Sequence, residues 1–284
     1  MSDLKIAIVA HPKLPDALQE AVVAADYLAQ KGIHVLQGSI YDENLRSRVK
    51  AGEFDVLIAM GGDGTILRAG HLCAPYDIPI LGLNKGRLGF LFQIDDQGWQ
   101  HTLDQLLDGN YWVEKRMMLA AEHFRAGESQ GVRQAVNDVV VARGSMMRPI
   151  HVKASIDDQY LTTYVCDGLI AATATGSTAY ALAAGGPILP PELRNILLIP
   201  IAPHLSVDRA VVLAEGATVN IVILSENSIL SIDGQTPAGL DENDRIEIRA
   251  GENTVKFIRF GHPDYFYRNL TAHMNQNISI GLPR

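Results

Sequence analysis

The sequence contains only two cysteines, Cys73 and Cys166, and they lie far apart in a chain of 284 residues. Neither has a pairing partner or metal ligands at a useful spacing around it, and none of the nine histidines, His204 included, supplies one. The sequence therefore gives no support to a disulfide-rich secreted fold or to a zinc site. The start of the chain also lacks a signal-peptide pattern, so we expect a cytoplasmic protein.

Long apolar runs and positive charge are also scarce. No apolar segment reaches the length of about 18 residues that a membrane-spanning helix requires. The 24 Lys and Arg residues are outnumbered by 32 Asp and Glu residues, which gives a formal net charge of −8. Nucleic acids and anionic membranes bind large basic faces, so neither is expected as the main partner. A small phosphorylated ligand needs only local donors and remains compatible with this charge.

The first part of the chain alternates strand-like apolar runs with helical patterns. The strand-like runs cover residues 4–10, 33–36, 54–60 and 78–83. This alternation predicts an α/β domain over residues 1–97, with a parallel sheet and right-handed crossovers. In open sheets of this kind, ligands bind beyond the carboxyl ends of the strands.

From residue 98 onward, a helix is predicted across residues 99–107, and short strand candidates then replace helical periodicity. These candidates cover residues 113–124, 132–143, 150–156, 160–166, 196–201, 218–224, 228–232, 245–249 and 255–260. Their regular spacing predicts an antiparallel, sandwich-like domain over residues 98–264. The change of pattern places the domain boundary near residues 93–98, and a return of the tail, residues 265–284, onto the first domain is left open.

The most informative stretch is Gly-Gly-Asp-Gly-Thr at residues 61–65, between a buried strand and a short helical segment. Its glycines let the backbone approach a ligand closely, and N–H groups at a helix N-terminus form an anion site. Asp63 is a carboxylate where phosphate should lie. It would repel phosphate unless it binds a metal ion or accepts a proton from an attacking hydroxyl, so the loop indicates phosphoryl transfer. The alternative is a turn in which Asp63 caps the helix.

Two further stretches contain groups suited to a nucleotide. Residues 84–91 follow the fourth predicted strand and should lie at the same sheet edge as Asp63. Phe90 in this stretch either covers a ring of the ligand or belongs to the core. Asn137 and Asp138 begin a strand-like run, and their donors and acceptors suit ribose hydroxyls or nucleoside edges. As an isolated pair they would be interpreted as turn residues at a strand entry.

A run of small and hydroxylated residues, 173–187, follows Asp167 and contains Tyr180. With little side-chain bulk, the backbone there can press against a flat ligand, while Tyr180 can stack or form a hydrogen bond. The alternative, a solvent-exposed loop, fits poorly with the apolar flanks. Asp233 and Gly234 form a pair that is common in hairpin turns, and we interpret them as a turn.

Taken together, these stretches resemble the NAD kinase family. The matching segments occur in the family's order, at residues 61–65, 84–91, 137–138, 167–168, 175–180 with 185–188, and 233–235. The glycine-Asp loop alone is shared with diacylglycerol and sphingosine kinases and, more loosely, with phosphofructokinases. The resemblance implies a parallel-sheet α/β N-terminal domain, a β-sandwich-like C-terminal domain and an active site between them.

The resemblance also implies an activity. It is the transfer of a phosphoryl group from ATP, or in some members polyphosphate, to the 2′-hydroxyl of the adenosine ribose of NAD, which yields NADP. Mg²⁺ is expected as a divalent cofactor that arrives with ATP rather than at a metal site of the protein. The family also implies a homodimer or homotetramer. The choices between ATP and polyphosphate, between NAD and NADH, and between oligomer sizes stay open.

Residue roles follow from the same resemblance. Asp63 would be the catalytic proton acceptor, and Gly61, Gly62, Gly64 and Thr65 would form the phosphate loop. The implied NAD-binding residues are Asp63, Gly64, Arg68, Phe90, Asn137, Asp138, Arg148, Asp167, Thr178, Ala179, Tyr180, Ala181, Leu182, Ala183 and Gln235.

The sequence departs from the family pattern at a few positions. The family usually has Glu where this chain has Asp138, and many members have Ser where it has Ala183. A serine that often follows the equivalent of His204 is also missing. We interpret these departures as tuning of the site rather than loss of activity.

Two other functions share features with this sequence, a lipid kinase and a non-catalytic dinucleotide sensor. A lipid kinase would need membrane affinity, yet no amphipathic basic helix is apparent, and residues 84–91 would stay unexplained. A dinucleotide sensor without catalysis would not need the intact Asp63. Incubation with ATP, Mg²⁺ and NAD, followed by a search for NADP, separates the three functions.

Overall fold

The computed structural model describes residues 4–84, 90–92, 98–146, 148–204, 207–267 and 270. Three sequence predictions therefore lie partly outside the described residues: the stretch 84–91 at residues 85–89, the boundary region at residues 93–97, and most of the tail 265–284. The chain divides into two compact units. Unit one comprises Met1–Lys115 and Val255–Arg284, and unit two comprises Arg116–Thr254.

Unit one begins with alternating strands and helices, as the sequence pattern predicts. They are β1 (Lys5–Ala10), α1 (Pro15–Gln30), β2 (His34–Ser39), α2 (Glu43–Lys50), β3 (Val56–Gly61), α3 (Asp63–Cys73), β4 (Ile80–Asn84) and α4 (Trp99–Leu107). The strands β2, β1, β3 and β4 are neighbours in that order, and every pair is parallel. All six residues of β3 are buried, which explains its continuous apolar sequence.

The helices of unit one begin and end where the sequence contains the usual signals. Pro15 occupies the first turn of α1, a position where its missing N–H has no helical partner to lose. Gly32 follows that helix with a φ of +81°, a conformation that glycine adopts without steric cost. The carboxylate of Asp42 accepts the N–H of Leu45, 3.0 Å away, and so caps α2.

Unit two is made of antiparallel strands. The remaining elements in chain order are β5 (Trp112–Arg125), β6 (Glu128–Ala135), β7 (Asp138–Arg143), β8 (Ile150–Ile156), β9 (Gln159–Cys166), β10 (Gly168–Ala172), α5 (Tyr180–Ala183), β11 (Asn195–Ile201), β12 (Val211–Ala214), β13 (Val219–Ile223), β14 (Ser228–Ile232), β15 (Ala238–Leu240) and β16 (Arg245–Arg259). One sheet has the order β12-β11-β10-β7-β14-β15. In a second group of strands, β16, β13, β8 and β9 are neighbours, and β5 pairs with β16 and β6.

Both groups of strands in unit two contribute to one core. Val139 and Val141 of β7 lie in the same buried cluster as Val152 of β8 and Ile221 of β13. Alternate residues of β13 and β14 are buried, the period expected of a strand with one face toward a core. The prediction of an α/β domain followed by an antiparallel β domain is confirmed.

The division into units differs from the boundary predicted at residues 97 and 98. Leu103 and Leu106 of α4 are buried in one core with Ile6 and Ile8 of β1, so this helix belongs to unit one. Ile258, near the end of β16, lies in the same core. The chain therefore leaves unit one and later returns to it, a connection that periodicity alone cannot show.

The return to unit one is fixed by a buried ion pair. Arg259 donates from Nε to Glu114, 2.9 Å away, and also donates to the carbonyl oxygen of Leu91 at 3.1 Å. The hydroxyl of Tyr265, the first residue of the predicted tail, donates to Glu114 at 3.0 Å. Such a pair is stabilised by these additional hydrogen bonds, which offset part of the desolvation cost.

The strand predicted over residues 132–143 is in fact two strands, β6 and β7. The ladder breaks at Val136 and Asn137, because their N–H groups donate to the carboxylate of Asp233 instead of to a neighbouring strand. None of the helices in the described ranges has the length and apolar character needed to span a bilayer.

Candidate functional site

The glycine loop of unit one joins β3 to α3. Gly61 is the last residue of β3 and has a φ of +152°, and a Cβ at this position would lie 2.5 Å from Oγ1 of Thr65. Only glycine fits there, and its small size lets the buried side chain of Thr65 pack under the loop. Gly62 is the N-cap of α3, and its carbonyl accepts the N–H of Thr65 at 2.8 Å.

Asp63 is the first residue of α3, and its side chain is half-buried. Gly62, not Asp63, is the N-cap residue, and α3 has no side-chain cap. The interpretation of Asp63 as a capping residue is therefore wrong. Oδ1 of Asp63 is buried, and the carboxylate lies in the first turn of the helix, where the positive end of the helix dipole attracts negative charge.

Arg68 lies one helical turn beyond the glycine loop. Its Nη1 donates to the carbonyl oxygen of Gly64 at 2.8 Å, and its guanidinium carbon lies 5.7 Å from the centre of the Tyr41 ring. His11 contacts the same ring edge-on, with the two ring centres 5.7 Å apart. Burial, followed by the charges of Arg68 and Lys13, lowers the pKa of His11. His11 and Tyr41 belong to none of the sequence motifs, yet they follow the carboxyl ends of β1 and β2.

Phe90, the described end of the stretch 84–91, is half-buried. That exposure distinguishes it from the fully buried Phe92 two residues later, but it does not assign Phe90 to a ligand or to the core.

In unit two, Asn137 and Asp138 lie where β7 begins. The carboxylate of Asp233 accepts three consecutive backbone N–H groups, from Val136 at 2.7 Å, Asn137 at 2.8 Å and Asp138 at 3.0 Å. In return, the N–H of Asp233 donates to the carbonyl oxygen of Asp138 at 3.0 Å. The turn that sequence reasoning placed at Asp233 is therefore bound directly to the Asn137–Asp138 pair.

The small residues that follow β10 pack against the same segment. The N–H of Thr173 donates to the carbonyl of Asn137 at 2.8 Å, and its hydroxyl donates to the carbonyl of Val136 at 2.6 Å. A Cβ on Gly176 would overlap the carbonyl oxygen of Asn137 and lie 2.5 Å from its carbonyl carbon. We predicted that the backbone here presses against a ligand; at Gly176 it presses against Asn137.

A cavity of about 470 Å³ opens beside this segment, within the range typical of small-ligand pockets. Its described lining consists of Asn137, Asp138, Val140, Ala142, Ala179, Tyr180, Ile229, Ser231, Asp233 and Gly234. Four of these residues, Asn137, Asp138, Ala179 and Tyr180, were predicted to bind nucleotide. Val140, Ala142 and Ile229 contribute from the strands β7 and β14, whereas Asn137, Asp138 and Asp233 lie where β7 begins. The arrangement suits a ligand with one flat face and several hydroxyl groups.

Asp138 is the most perturbed acid of this cavity. Only 5% of its surface is exposed. Burial, followed by the negative charge of Asp233, raises the pKa of Asp138 to about 7, against the opposing effect of a hydrogen bond from the N–H of Tyr180. Near neutral pH the group therefore changes between a carboxylic acid that can donate and a carboxylate that only accepts.

Most of the other predicted binding residues lie outside the described lining of this cavity. Thr178 donates from its hydroxyl to the carbonyl of Thr175 at 3.1 Å. Ala181 is buried in an apolar cluster with Ile170 and Leu197, whereas Leu182 is half-buried and Ala183 is exposed. The side chains of Arg148 and Gln235 are also exposed.

Asp167 is separated from the Asn137–Asp138 pair. In the antiparallel register of β7 and β10, Asp138 lies opposite Ala172 and Ala142 lies opposite Gly168. Asp167 thus lies five residues along the strand from the partner of Asp138, a distance of about 17 Å. Its carboxylate forms an ion pair with Arg143, whose Nε lies 3.1 Å from Oδ1 of Asp167. One copy of the chain does not bring Asp167 and Asp138 to the same point.

Within the part of the chain that the structure describes, no group of three or more His, Cys, Asp or Glu side chains is arranged to hold a metal ion. Asp63, beside the glycine loop, is nevertheless a hard oxygen ligand of the kind Mg²⁺ prefers.

Comparison with known proteins gives matches over both units. Family models described as the ATP-NAD kinase N-terminal domain and the ATP-NAD kinase C-terminal domain match residues 6–111 and 136–260. A protein of Chloroflexus aurantiacus named NAD kinase is 35% identical over 274 residues, with 96% of this chain and 99% of the relative covered. A Heliobacterium modesticaldum protein of the same name is 36% identical over 279 residues, with coverage of 95% and 98%.

Two solved structures are similar to the whole chain. Yeast NADH kinase complexed with NADH has a TM-score of 0.83 and 25% sequence identity, and the match covers 99% of this chain and 90% of the yeast chain. An NAD kinase from Archaeoglobus fulgidus in complex with ATP has a TM-score of 0.77 and 27% identity, with coverage of 96% and 99%.

Proposed function

This chain belongs to the NAD kinase family and is an enzyme that phosphorylates NAD, and from that premise we propose that it transfers the terminal phosphoryl group of ATP to the 2′-hydroxyl of the adenosine ribose. The product is NADP. The observation that carries the proposal is the position of Asp63, which begins α3 directly after two glycines. Family membership sets aside the lipid kinase and the dinucleotide sensor.

Asp63 is proposed to accept the proton of the ribose hydroxyl. A hydroxyl is a poor nucleophile, and a carboxylate that removes its proton as the oxygen attacks phosphorus accelerates such reactions about 10²- to 10⁴-fold. The new bond joins the ribose oxygen to the terminal phosphorus. The bond from that phosphorus to the oxygen of ADP breaks, and ADP leaves. The position of Asp63 supports this role because the carboxylate lies within the glycine loop, next to the backbone N–H groups that would bind the phosphates.

The transferred phosphoryl group carries negative charge, which hydrogen-bond donors and cations must stabilise. We assign this role to the backbone N–H groups of the glycine loop, which belong to the first turn of α3, and to Arg68, whose guanidinium lies beside Gly64. Mg²⁺ bound with the donor phosphates would neutralise further charge on the phosphoryl group.

The acceptor nucleoside is assigned to unit two. Asn137 and Asp138 line the cavity with groups that pair with ribose hydroxyls, and Tyr180, 47% exposed, offers a ring on which a base can stack.

Asp63→Asn tests the mechanism. We expect NADP formation to fall about 10²-fold or more while NAD affinity is retained. Asp16→Asn is the matched control, because Asp16 also lies in the first turn of a helix, α1, and is exposed. It should keep normal turnover. Normal turnover of Asp63→Asn would show that Asp63 is not the proton acceptor. Failure of the unaltered protein to form NADP from either donor would refute the proposed reaction.

The donor and the acceptor are tested together. The protein is incubated with ATP or polyphosphate and with NAD or NADH, in the presence and absence of Mg²⁺, and the product is read with a dehydrogenase that requires the 2′-phosphate. We expect product from ATP, and none after chelation of the metal. A phosphorylated product that this dehydrogenase rejects would show that another hydroxyl is the acceptor.

The distance between Asp167 and Asp138 supports a proposal on assembly. An adenosine bound at Asn137 and Asp138 is too short to reach Asp167 of the same copy. We propose that Asp167 acts at the site of a second copy in a homodimer or homotetramer, as the family resemblance implies. Mixed oligomers of Asp63→Asn and Asp167→Ala chains should then regain part of the activity that each lacks alone. A monomer in solution, measured by light scattering, would refute this assignment.

A further inference from the structure

Asp233 does more than form a turn. It has a φ of +48°, in the left-handed region, and is followed by Gly234 with a φ of +65°, as expected of a tight connection between strands. Its half-buried carboxylate, however, is bonded to the backbone of a distant segment. Oδ2 accepts the N–H of Val136, and Oδ1 accepts the N–H groups of both Asn137 and Asp138.

Three consecutive N–H groups pointing to one carboxylate impose a defined backbone conformation. In a regular strand, successive N–H groups point to opposite sides, so these three can converge on one carboxylate only because the chain bends at Val136 and Asn137. Here the anion is a side chain of the protein itself. Thr173 fixes the opposite side of the segment by donating to the carbonyl oxygens of Val136 and Asn137. The backbone that carries the Asn137 and Asp138 side chains is therefore bound on both sides.

The same carboxylate also acts on Asp138 by its charge. Among the described residues, Asp233 is the charged group that faces Asp138 from the turn after β14. The neighbouring elements present a backbone N–H from Tyr180 of α5 and the uncharged Ala172 of β10. An anion close to a second, buried acid disfavours ionisation of that acid.

We propose that Asp233 is a positioning residue of the nucleotide site, which fixes the backbone of Asn137 and Asp138 and makes the ionisation of Asp138 depend on the charge of the turn. Asp233 acts through these two residues rather than by contact with the reacting atoms. The inference rests on the proposed function, because it takes Asn137 and Asp138 as ligands of the nucleoside.

Asp233→Asn is the direct test. Asparagine tolerates the left-handed conformation, so the turn is retained. One carboxylate oxygen becomes an NH₂ group, which cannot accept a backbone N–H, and the negative charge is lost. Measured calorimetrically at pH 8, NAD binding should weaken about tenfold or more, the effect of losing charge-assisted hydrogen bonds.

The pH dependence of NAD binding supplies a second readout, which a purely structural role would not change. In the unaltered protein, ionised Asp138 accepts ribose hydroxyls, and NAD binding should tighten about tenfold between pH 6 and pH 8. In Asp233→Asn the midpoint of this transition should move to lower pH, because a neighbouring negative charge has been removed. Asp138→Asn should abolish the transition and thereby assign it.

Asp157→Asn is the matched control. Asp157 also has a left-handed φ, of +49°, lies in a turn of unit two and accepts a backbone N–H, that of Thr218 at 2.8 Å. It is outside the described lining of the cavity. This variant should lose some stability but keep both the NAD affinity and its pH dependence.

The inference is overturned if folded Asp233→Asn binds NAD like the unaltered protein with an unshifted pH transition. The inference is also overturned if Asp157→Asn unexpectedly loses as much NAD affinity as Asp233→Asn. The loss would then come from reduced stability in general and not from the nucleotide site. Asn137→Ala separates this failure from failure of the proposed function. If Asn137→Ala also leaves NAD binding unchanged, it is the nucleoside site itself that is wrongly assigned.

Discussion

Gly176→Ala is predicted to damage both the stability of unit two and its nucleotide site. The added Cβ would overlap the carbonyl oxygen of Asn137 and lie 2.5 Å and 2.8 Å from the carbonyl carbon and Cα of that residue. Every contact is with backbone, so no side-chain rotation relieves it. Asn137 cannot move freely either, because its carbonyl accepts the N–H of Thr173 and its N–H donates to Asp233.

The size of the effect follows from these contacts. A shift of the Asn137 backbone large enough to admit a methyl group breaks at least one of its two hydrogen bonds. Overpacking costs about 1–3 kcal/mol and each lost hydrogen bond costs about 1–3 kcal/mol more. Alanine also lowers the conformational entropy of the unfolded chain, and this stabilising effect offsets about 0.4–1 kcal/mol of the loss. We expect a net loss of about 3 kcal/mol in the free energy of unfolding and a fall in NAD affinity of tenfold or more.

Gly216→Ala is the matched control, because Gly216 is an exposed glycine of unit two where an added Cβ would meet no atom within 4 Å and where φ is not positive. It should be neutral or stabilising by up to about 1 kcal/mol. Urea unfolding and NAD titration calorimetry measure both variants. If Gly176→Ala unfolds within about 1 kcal/mol of Gly216→Ala, on the scale of ordinary surface substitutions, and binds NAD equally well, the packing argument is refuted.

Three further predictions concern buried groups. The Tyr164 hydroxyl is buried without a hydrogen-bond partner among the described residues, so Tyr164→Phe should stabilise the protein by about 1 kcal/mol in urea unfolding; a loss of stability would contradict this. Although burial opposes it, hydrogen bonds led by that of Arg125 lower the pKa of Asp244 to about 2. Asp244 should therefore add about 2 kcal/mol to the free energy of unfolding above pH 5, and this contribution should be lost as the pH falls through 4 toward 2. In Asp244→Asn the free energy of unfolding should change less with pH over that range. Burial raises the pKa of Cys166 to about 12 and that of Cys73 further, so neither thiol should react with iodoacetamide until the protein unfolds.

Local patterns predicted the elements whose neighbours are close in sequence. The run of apolar residues 54–60 became β3, and the glycines after it became the junction with α3. Those signals are local, because burial on both faces and backbone freedom act on consecutive residues. The Asn137–Asp138 pair was also found from its residue types, and the structure places it at a cavity.

The remainder depends on contacts between distant parts of the chain. Asp233 is 95 residues from Asp138, and an Asp-Gly pair at that position reads as an ordinary turn. Likewise, the need for glycine at Gly176 comes from Asn137, which nothing in the neighbouring sequence indicates. The break between β6 and β7 and the return of β16 to unit one have the same origin. Periodicity reports which face of an element is buried, but not which element buries it.

The return of β16 to unit one has a consequence for biosynthesis. β4 pairs with the end of β16 through Ile80 and Phe257, two positions that are 177 residues apart in the chain (257 − 80). At about 5–20 residues per second, a ribosome needs roughly 10–30 s to make that interval. During this time the growing chain has an open edge on a parallel sheet, while all of unit two can be completed. An exposed strand edge is a template for aggregation. Nascent chains stalled before Val255 should therefore depend on chaperones far more than chains released after Phe260.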